Sequence, residues 1–173
     1  MDHKSISESK CIPLAVLADV RRLLRTQRFA VLATSSGAGP HASLIAFAPV
    51  DEGGSIVFLT PRHSVKFRNI CRNPNVSMVI DERPGSGVEI EGACGMTVTG
   101  TVRALTRAES ASASAAFFRR HREFRRYLKQ EDVVLLRIEV NRYLHTRSLA
   151  SATAVDPLFL KRHPGPAARK KRR

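Results

Sequence analysis

Apolar and polar residues alternate along much of the chain with the period of two that is typical of β-strands. The clearest run is MTVTGTVRAL, where Met96, Val98, Gly100 and Val102 share one face and threonines share the other. A glycine inside such a strand predicts a bulge or a close backbone approach at that position. Further strands are predicted at 28–36, 40–50, 56–60, 75–81 and 131–149, about six in all.

Three other segments carry helix signals. Pro13 opens a helix whose apolar residues recur at helical spacing to about Thr26, and a second helix is predicted over Ser64–Arg72, before a proline. Thr106 and Glu109 have the spacing of a capping box, so they open an Ala-rich, basic helix predicted to reach about Lys129. Because helices interrupt the strands without regular alternation, the pattern predicts an α+β, mainly β fold: an antiparallel barrel of about six strands with flanking helices.

Segment composition predicts where this domain begins and ends. Residues 1–10 are expected to be disordered, residues 11–150 to form the barrel domain, and residues 151–173 to form a basic C-terminal extension. Residues 82–95 are rich in glycine and predict a mobile loop. The chain has no apolar run of membrane-spanning length, its first ten residues lack the apolar core of a secretory signal, and its three cysteines are scattered. These features predict a cytoplasmic protein without membrane contact.

The net charge is +14, from 29 Lys and Arg against 15 Asp and Glu. The basic residues concentrate in the segment FFRRHREFRRYLK and in the last five residues, Arg169–Arg173. Basic clusters attract polyanions through counterion release, so contact with a polyanion through the tail is predicted, and a nucleic-acid-associated function is one alternative. A solvated basic surface is the commoner explanation of such a cluster.

Candidate chemistry lies between the strand that ends near Thr60 and the helix that follows. Two hydroxyls and two cations, from Thr60, Ser64, Lys66 and Arg68, gather within about one turn of the helix N-terminus. Free N–H donors and the positive end of the helix dipole favour an anion there, and a phosphate suits these side chains. The alternative is a capped helix with solvated basic residues.

Sequence motifs of metal and nucleophile chemistry are missing. None of the six histidines stands at a metal-ligand spacing from another histidine or a cysteine, so no metal site is predicted. The chain has no G-x-S-x-G, H-E-x-x-H or G-x-G-x-x-G motif. An enzyme built from this chain would therefore take its chemistry from a cofactor.

One stretch resembles a known family. The motif T-P-R-x-S-x-K-x-R-N begins at Thr60 and is followed by R-N-P-x-V-S from Arg72. Together with the strands before and after them, these motifs resemble the pyridoxamine 5′-phosphate oxidase-like superfamily of FMN-binding split barrels, over roughly residues 28–149. The resemblance implies an FMN-binding flavoprotein, an oxidoreductase acting on a small-molecule substrate or electron donor, and a twofold homodimer with the flavin between subunits.

The resemblance also implies which residues bind the cofactor. Its flavin-contacting strand falls on Ser43, Leu44, Ile45 and Ala46, and its phosphate site falls on Thr60, Ser64, Val65 and Lys66. Arg147 stands at the end of Y-L-H-x-R, which resembles the R-L-H-x-R of the oxidase. Ser43 and Val65 stand where the family has arginines. Ala48 and Tyr143 stand where the oxidase has a substrate-contacting lysine and arginine, which puts the oxidase activity itself in doubt.

Other functions of the same fold stay open. Relatives include heme-handling proteins, and for heme or another planar cofactor His41, His63 or His145 is a candidate iron ligand. The sequence does not distinguish FMN from FAD or a deazaflavin. A homodimer has a sequence argument of its own, because Pro40–Val50 is apolar on both faces and one small barrel cannot bury both.

Overall fold

The computed structural model describes residues 12–37, 39–82, 94–148 and 151–162. Its strands form one antiparallel sheet in the order β3-β2-β1-β4-β5-β6-β7, which closes on itself because β3 also pairs with β6. Six strands thus form the predicted barrel, and the seventh extends it at β6. The strands are β1 Phe29–Ser35, β2 Pro40–Val50, β3 Ser55–Pro61, β4 Asn75–Glu82, β5 Cys94–Ala104, β6 Val133–Ser148 and β7 Ser151–Val155, and the helices are α1 Leu14–Thr26, α2 Val65–Arg72, α3 Arg107–Arg120 and α4 Pro157–Arg162.

Two apolar clusters hold the barrel and its helices together. The larger cluster fills the barrel with fully buried side chains such as Leu32, Phe47 and Phe58, and α1 covers it with Leu17, Val20, Leu23 and Leu24. The smaller cluster lies outside the barrel, where Ala46, Ala48 and Val57 pack against Ala113, Phe117 and Phe118 of α3. Alternate side chains of β2 therefore point into different clusters: Ile45 and Phe47 lie inside the barrel, and Ala46 and Ala48 pack against α3.

The bulge predicted at Gly100 is confirmed. The register between β5 and β6 shifts between Thr99 and Gly100. A Cβ atom at Gly100 would stand 2.4 Å from the carbonyl oxygen of Glu139, so the approach of the two backbones requires glycine.

The basic helix is shorter than predicted. The predicted capping box forms, but α3 ends at Arg120 rather than near Lys129, and a 3₁₀ segment, Arg122–Lys129, follows it. The break lies at His121, whose φ and ψ of −128° and 68° are not helical. The ring of His121 is fully buried, and its Nε2 lies 2.8 Å from the carbonyl oxygen of Phe47. This tertiary contact outweighs the local helix preference of the segment.

The segment expected to be an extension begins inside the barrel fold. Residues 151–155 form β7 on the edge of β6, and α4 follows. Val155 and Leu160 are 0% and 1% exposed and belong to the main apolar cluster. The predicted disordered N-terminus, most of the predicted loop at 82–95 and the basic end Arg169–Arg173 lie outside the described residues. Among the described helices, none is both long and apolar enough to span a membrane.

The barrel is split beside β2. Within the described chain, the ladder between β2 and β3 covers only Phe47–Val50, so the first half of β2 pairs with β1 alone. Helix α2 lies at this opening and contacts both β1 and β2. The opening places the start of α2 and the unpaired edge of β2 on the same side of the barrel.

Candidate cofactor-binding site

The start of α2 is joined to the end of β3 by side-chain hydrogen bonds. Ser64 is the N-cap of α2, and its Oγ accepts a hydrogen bond from the N–H of Phe67 at 3.2 Å. Thr60 Oγ1 lies 3.0 Å from the same Ser64 Oγ. The two hydroxyls that the sequence placed together do lie together, at a helix N-terminus with further N–H donors.

Lys66 completes this group with a positive charge. Its side chain is half-buried, and burial lowers the pKa of its ammonium below the ordinary value. Among the described residues, no carboxylate lies within ion-pair distance of Lys66, although many arginines of the protein have such partners. A partly desolvated cation without a counter-ion favours an external anion.

The first half of β2 presents a mixed surface. Leu44 is 68% exposed, while Ile45 and Ala46 are buried in the inner and outer apolar layers. Ile45 can therefore meet a ligand only through its backbone. Ser43 Oγ is buried and has no hydrogen-bond partner among the described residues, so a polar ligand group could satisfy it.

Two further predicted residues, Val65 and Arg147, do not add a cation to Thr60 and Ser64. Val65 is exposed on the first turn of α2 and brings no charge. Arg147 lies near the far end of β6 from Val134, the residue that pairs with Thr60. Its guanidinium contacts Asp19 of α1 at 3.1 Å. Thr60 and Ser64 are brought into contact within one subunit, Lys66 follows on the first turn of α2, and Arg147 does not join them.

A row of exposed apolar side chains crosses the outer face of the sheet. Phe29, Val31, Leu44 and Val79 are each 38–68% exposed. Val31 pairs with Leu44 on one side and with Val79 on the other, so the row is continuous over three strands. We call these four residues the apolar row. Leu44 could be predicted as a surface residue of the site but its neighbours could not, because the pairing of β1 with β4 is not visible in the sequence.

A cavity of ≈ 560 Å³ lies between α1, α3 and the end of β2. Four arginines line it, Arg21, Arg25, Arg119 and Arg120, against one acidic residue, Glu52, and Ala48 contributes to its apolar part. Burial lowers the pKa of Arg120, and nearby Arg28 lowers it further. Part of the basic charge seen in the sequence is thus gathered around a concave surface rather than spread evenly in solvent.

The three histidines considered as iron ligands differ in availability. His41 is half-buried on β2, and His63 is exposed with its Nδ1 3.0 Å from Asp132. His145 is 3% exposed and faces Asp19 and Cys94 inside the protein. Tyr143, also considered in the substrate region, is a core residue whose hydroxyl donates to the carbonyl oxygen of Gly53 at 2.5 Å.

The structure brings together Asp19, Cys94 and His145, a cluster that the sequence did not predict. Its members come from α1, β5 and β6, and their side-chain ligand atoms lie within 4.8 Å of one another. All three residues are at most 7% exposed. Burial lowers the pKa of the His145 imidazole and raises that of the Cys94 thiol, which favours the neutral form of both. No sequence spacing could have indicated a group that only the barrel closure assembles.

Comparison with family models decides the relationship. The model for pyridoxamine 5′-phosphate oxidase matches residues 16–146, most of the chain and all the elements described above except α4, β7 and the ends of α1 and β6. The chain belongs to the pyridoxamine 5′-phosphate oxidase family. The predicted split-barrel fold and the suspected family are thereby confirmed. A comparison with curated proteins found no match.

Several solved structures share this fold, and the proteins they represent are described as having different functions. A heme-binding protein from Mycobacterium smegmatis is similar at a TM-score of 0.76 and 16% identity, over 88% of this chain and 62% of that one. A putative pyridoxamine 5′-phosphate oxidase from Listeria innocua matches at 0.60 and 16% identity, over 77% and 99% of the two chains. An FAD-binding protein from Mesorhizobium loti matches at 0.57 and 17% identity, over 70% and 87%. This chain therefore spans less than two thirds of the Mycobacterium smegmatis protein.

Proposed function

We propose that this chain binds FMN at the opening beside β2 and acts as an oxidoreductase on a small-molecule substrate. The observation that carries the proposal is the group formed by Thr60, Ser64 and Lys66 at the start of α2. Family membership supports a planar cofactor. A bound flavin would supply the electron-transfer chemistry that none of these side chains provides.

The phosphate of FMN would be held by the start of α2. The N-terminal N–H groups, the two hydroxyls and the ammonium of Lys66 would all favour a dianion. Val65 supplies no cation where the family has an arginine, so Lys66 carries more of the charge complement in this chain.

The flavin ring would be held along Ser43–Ala46. The unpaired edge of β2 offers backbone donors and acceptors for a polar ring edge, and Leu44 offers an exposed apolar surface. Ser43 shares the inner face of β2 with Ile45, opposite to Leu44, so its buried Oγ, which has no partner among the described residues, would be satisfied only by a ligand group that reaches past the strand edge. The chain's own residues therefore fit the polar and apolar parts of a flavin.

A homodimer is part of the proposal. The apolar row is a continuous hydrophobic surface next to the proposed ring position, and a second copy would cover it. Family members commonly form dimers. Arg147 lies far from Lys66 within one subunit, so any contact of Arg147 with the cofactor would have to be made across this dimer.

The proposed substrate or electron donor carries an acidic group. Ala48 lacks the charge of the lysine that the oxidase has at this position, yet it lines the cavity that Arg21, Arg25, Arg119 and Arg120 surround. The four arginines outnumber the one carboxylate of the lining, Glu52, so an anion with an apolar body suits it. Cytoplasmic location and polyanion contact through the C-terminal end stay predictions.

The alternative is a heme-binding protein without oxidoreductase activity, as the Mycobacterium smegmatis neighbour suggests. His41 is the half-buried histidine on β2 and the best placed of the three candidates. The absorption spectrum of the purified full-length protein distinguishes the two: we expect a flavin spectrum, retained after dialysis or restored by adding FMN. A heme band after titration with hemin, together with no FMN binding, would replace the proposal by the alternative.

A further inference from the structure

The buried cluster of Asp19, Cys94 and His145 has the donor set and the shape of a metal site. We propose that these three side chains bind one divalent transition metal ion, Zn²⁺ by their chemistry, between α1, β5 and β6. None of this site's residues belongs to β2, β3 or α2, the elements that carry the proposed flavin site. It does not depend on the proposed function.

The barrel places the three donors together. Met96 pairs with His145 in the β5–β6 ladder, and Cys94 lies two residues before Met96 on the same inner face. Cys94 and His145 are therefore diagonal neighbours. Asp19 reaches them from α1, which covers this part of the barrel through Val20 and Leu23 on the same helix.

Two of the three distances between ligand atoms suit tetrahedral coordination, and the third pair, Cys94 and Asp19, lies within 4.8 Å. Cys94 Sγ lies 3.3 Å from His145 Nε2, and Asp19 Oδ2 lies 3.4 Å from the same nitrogen. A zinc ion with bonds of about 2.0–2.3 Å separates its tetrahedral ligand atoms by about 3.3–3.6 Å. Two edges of such a tetrahedron are thus present, and three protein ligands leave a fourth position for water.

The convergence on one nitrogen argues against a purely hydrogen-bonded cluster. A Cys–His–Asp catalytic relay uses both ring nitrogens, one for the thiol and one for the carboxylate. Here the thiol and the carboxylate both approach Nε2, which has either one proton or one lone pair. Only one of the two contacts can be a good hydrogen bond, whereas a metal ion between the three atoms satisfies all of them.

The charges around the cluster balance apart from that of Arg147. Binding would release the thiol proton of Cys94 to solvent, and the resulting thiolate and the Asp19 carboxylate would neutralise a divalent ion. Arg22 contacts Asp19 Oδ1 at 3.1 Å, and its charge is matched by an ion pair with Glu82. Arg147 contacts Oδ2 at 3.1 Å, but its side chain is 65% exposed and therefore well screened. The second lone pair of Oδ2 remains for the metal.

The three donor atoms favour some divalent metal ions over others. A thiolate and an imidazole favour Zn²⁺ and its neighbours in the transition series over Mg²⁺ or Ca²⁺, which prefer oxygen ligands. Because the ion would join a helix to two strands, it would bind the folded protein and not the unfolded chain. Its presence should therefore raise the unfolding temperature.

The test uses Co²⁺ alone as a probe of the full-length protein. We expect one Co²⁺ per chain, a thiolate-to-cobalt charge-transfer band in the near ultraviolet, strong visible bands of tetrahedral cobalt, and displacement by Zn²⁺. Cys94→Ser should abolish the charge-transfer band. Cys71→Ser is the matched control, because Cys71 is exposed on α2 and should be dispensable.

A second variant tests the site even if Cys94→Ser does not fold. His145→Gln should lower Zn²⁺ affinity by at least about tenfold to a hundredfold, the loss found for removing even outer-shell partners. Circular dichroism should show both variants folded. Saturating Co²⁺ without a charge-transfer band, or a band that survives in folded Cys94→Ser, would overturn the metal site.

Discussion

Asn69 of α2 and Thr34 of β1 are joined inside the protein by a hydrogen bond of 3.2 Å from Nδ2 to Oγ1. The residues are 9% and 2% exposed, and Ser36 donates a second hydrogen bond of 2.8 Å to Asn69 Oδ1. This polar anchor fixes the position of α2 against the barrel. The start of the helix, with Ser64 and Lys66, is therefore held in place without help from a ligand.

The first prediction concerns Lys66. Replacing Lys66 with Ala removes the cation of the proposed phosphate site without disturbing the Asn69 anchor. A charge-assisted hydrogen bond contributes about 1.5–3 kcal/mol, so FMN should bind about tenfold to a hundredfold more weakly. Fluorescence titration of FMN measures this. Arg72→Ala is the control, because Arg72 is exposed in the last turn of the same helix, away from its N-terminus, and should leave affinity unchanged. Equal affinities in all three folded proteins would remove Lys66 from the site.

Much of the fold could be predicted from local patterns. Period-two alternation gave most strands, Ser64 and Thr106 act as caps as predicted, and Gly100 marks a real bulge. The end of α3 could not be predicted, because His121 leaves the helix to contact the carbonyl of Phe47, a residue distant in sequence. The continuation of the fold through Leu160 was missed because its short, weakly patterned segment is stabilised by tertiary packing.

The part of the candidate site that lies in one short stretch of sequence could be predicted. Thr60, Ser64 and Lys66 lie within one strand–helix connection, so their spacing indicated a shared position. Arg147 was assigned through a motif at a distant point of the chain, and the structure places it beside Asp19 instead of Lys66. The apolar row and the cluster of Asp19, Cys94 and His145 depend on strand pairing and helix placement, which no local pattern encodes.

The second prediction concerns the backbone contact at Gly100. An alanine Cβ there would stand 2.4 Å from the Glu139 carbonyl oxygen and 2.6 Å from Ile138 Cγ2, and a ladder carbonyl cannot move away freely. Gly100→Ala should therefore lower the free energy of unfolding by about 1–3 kcal/mol. Gly95→Ala in the same strand is the control, since its Cβ would meet nothing closer than 3.7 Å. Equal denaturation midpoints for the two variants would contradict the close approach.

The third prediction is a pH dependence that arises at His121. Burial lowers the pKa of the ring, as do Arg28 and Arg120, although the hydrogen bond with the Phe47 carbonyl and the charge of Glu123 act in the opposite direction. In the unfolded chain the pKa returns to about 6.5. Below that pH the unfolded state binds the proton more readily, so stability should fall as pH decreases toward the lower folded-state pKa.

The slope from one histidine is at most about 1.4 kcal/mol per pH unit. Urea denaturation at several pH values measures it, and His121→Gln serves as the comparison, because glutamine can still donate to the Phe47 carbonyl without titrating in this range. The difference between the two proteins should grow more favourable to the variant as pH falls below about 6.5. A constant difference across that range would mean that His121 does not contribute.

The last prediction tests the dimer through Val79, which is 43% exposed in the apolar row and lies on β4, outside the proposed cofactor strand. Val79→Asp would bury an unpaired carboxylate in the proposed interface, which costs several kcal/mol, so dimer affinity should fall by at least about a hundredfold. Leu14→Asp is the matched control: Leu14 is 77% exposed but lies at the start of α1, away from the row. Light scattering over a dilution series measures the mass of each protein.

If the flavin is bound between two subunits, dimerisation and FMN binding are thermodynamically linked. FMN should then shift the wild-type dimer to lower dissociation concentrations, and Val79→Asp should bind FMN weakly even though its own cofactor strand is intact. A monomeric Val79→Asp that keeps full FMN affinity would show that one subunit suffices for binding. A dimer unaffected by Val79→Asp would instead place the interface on a different surface of the barrel.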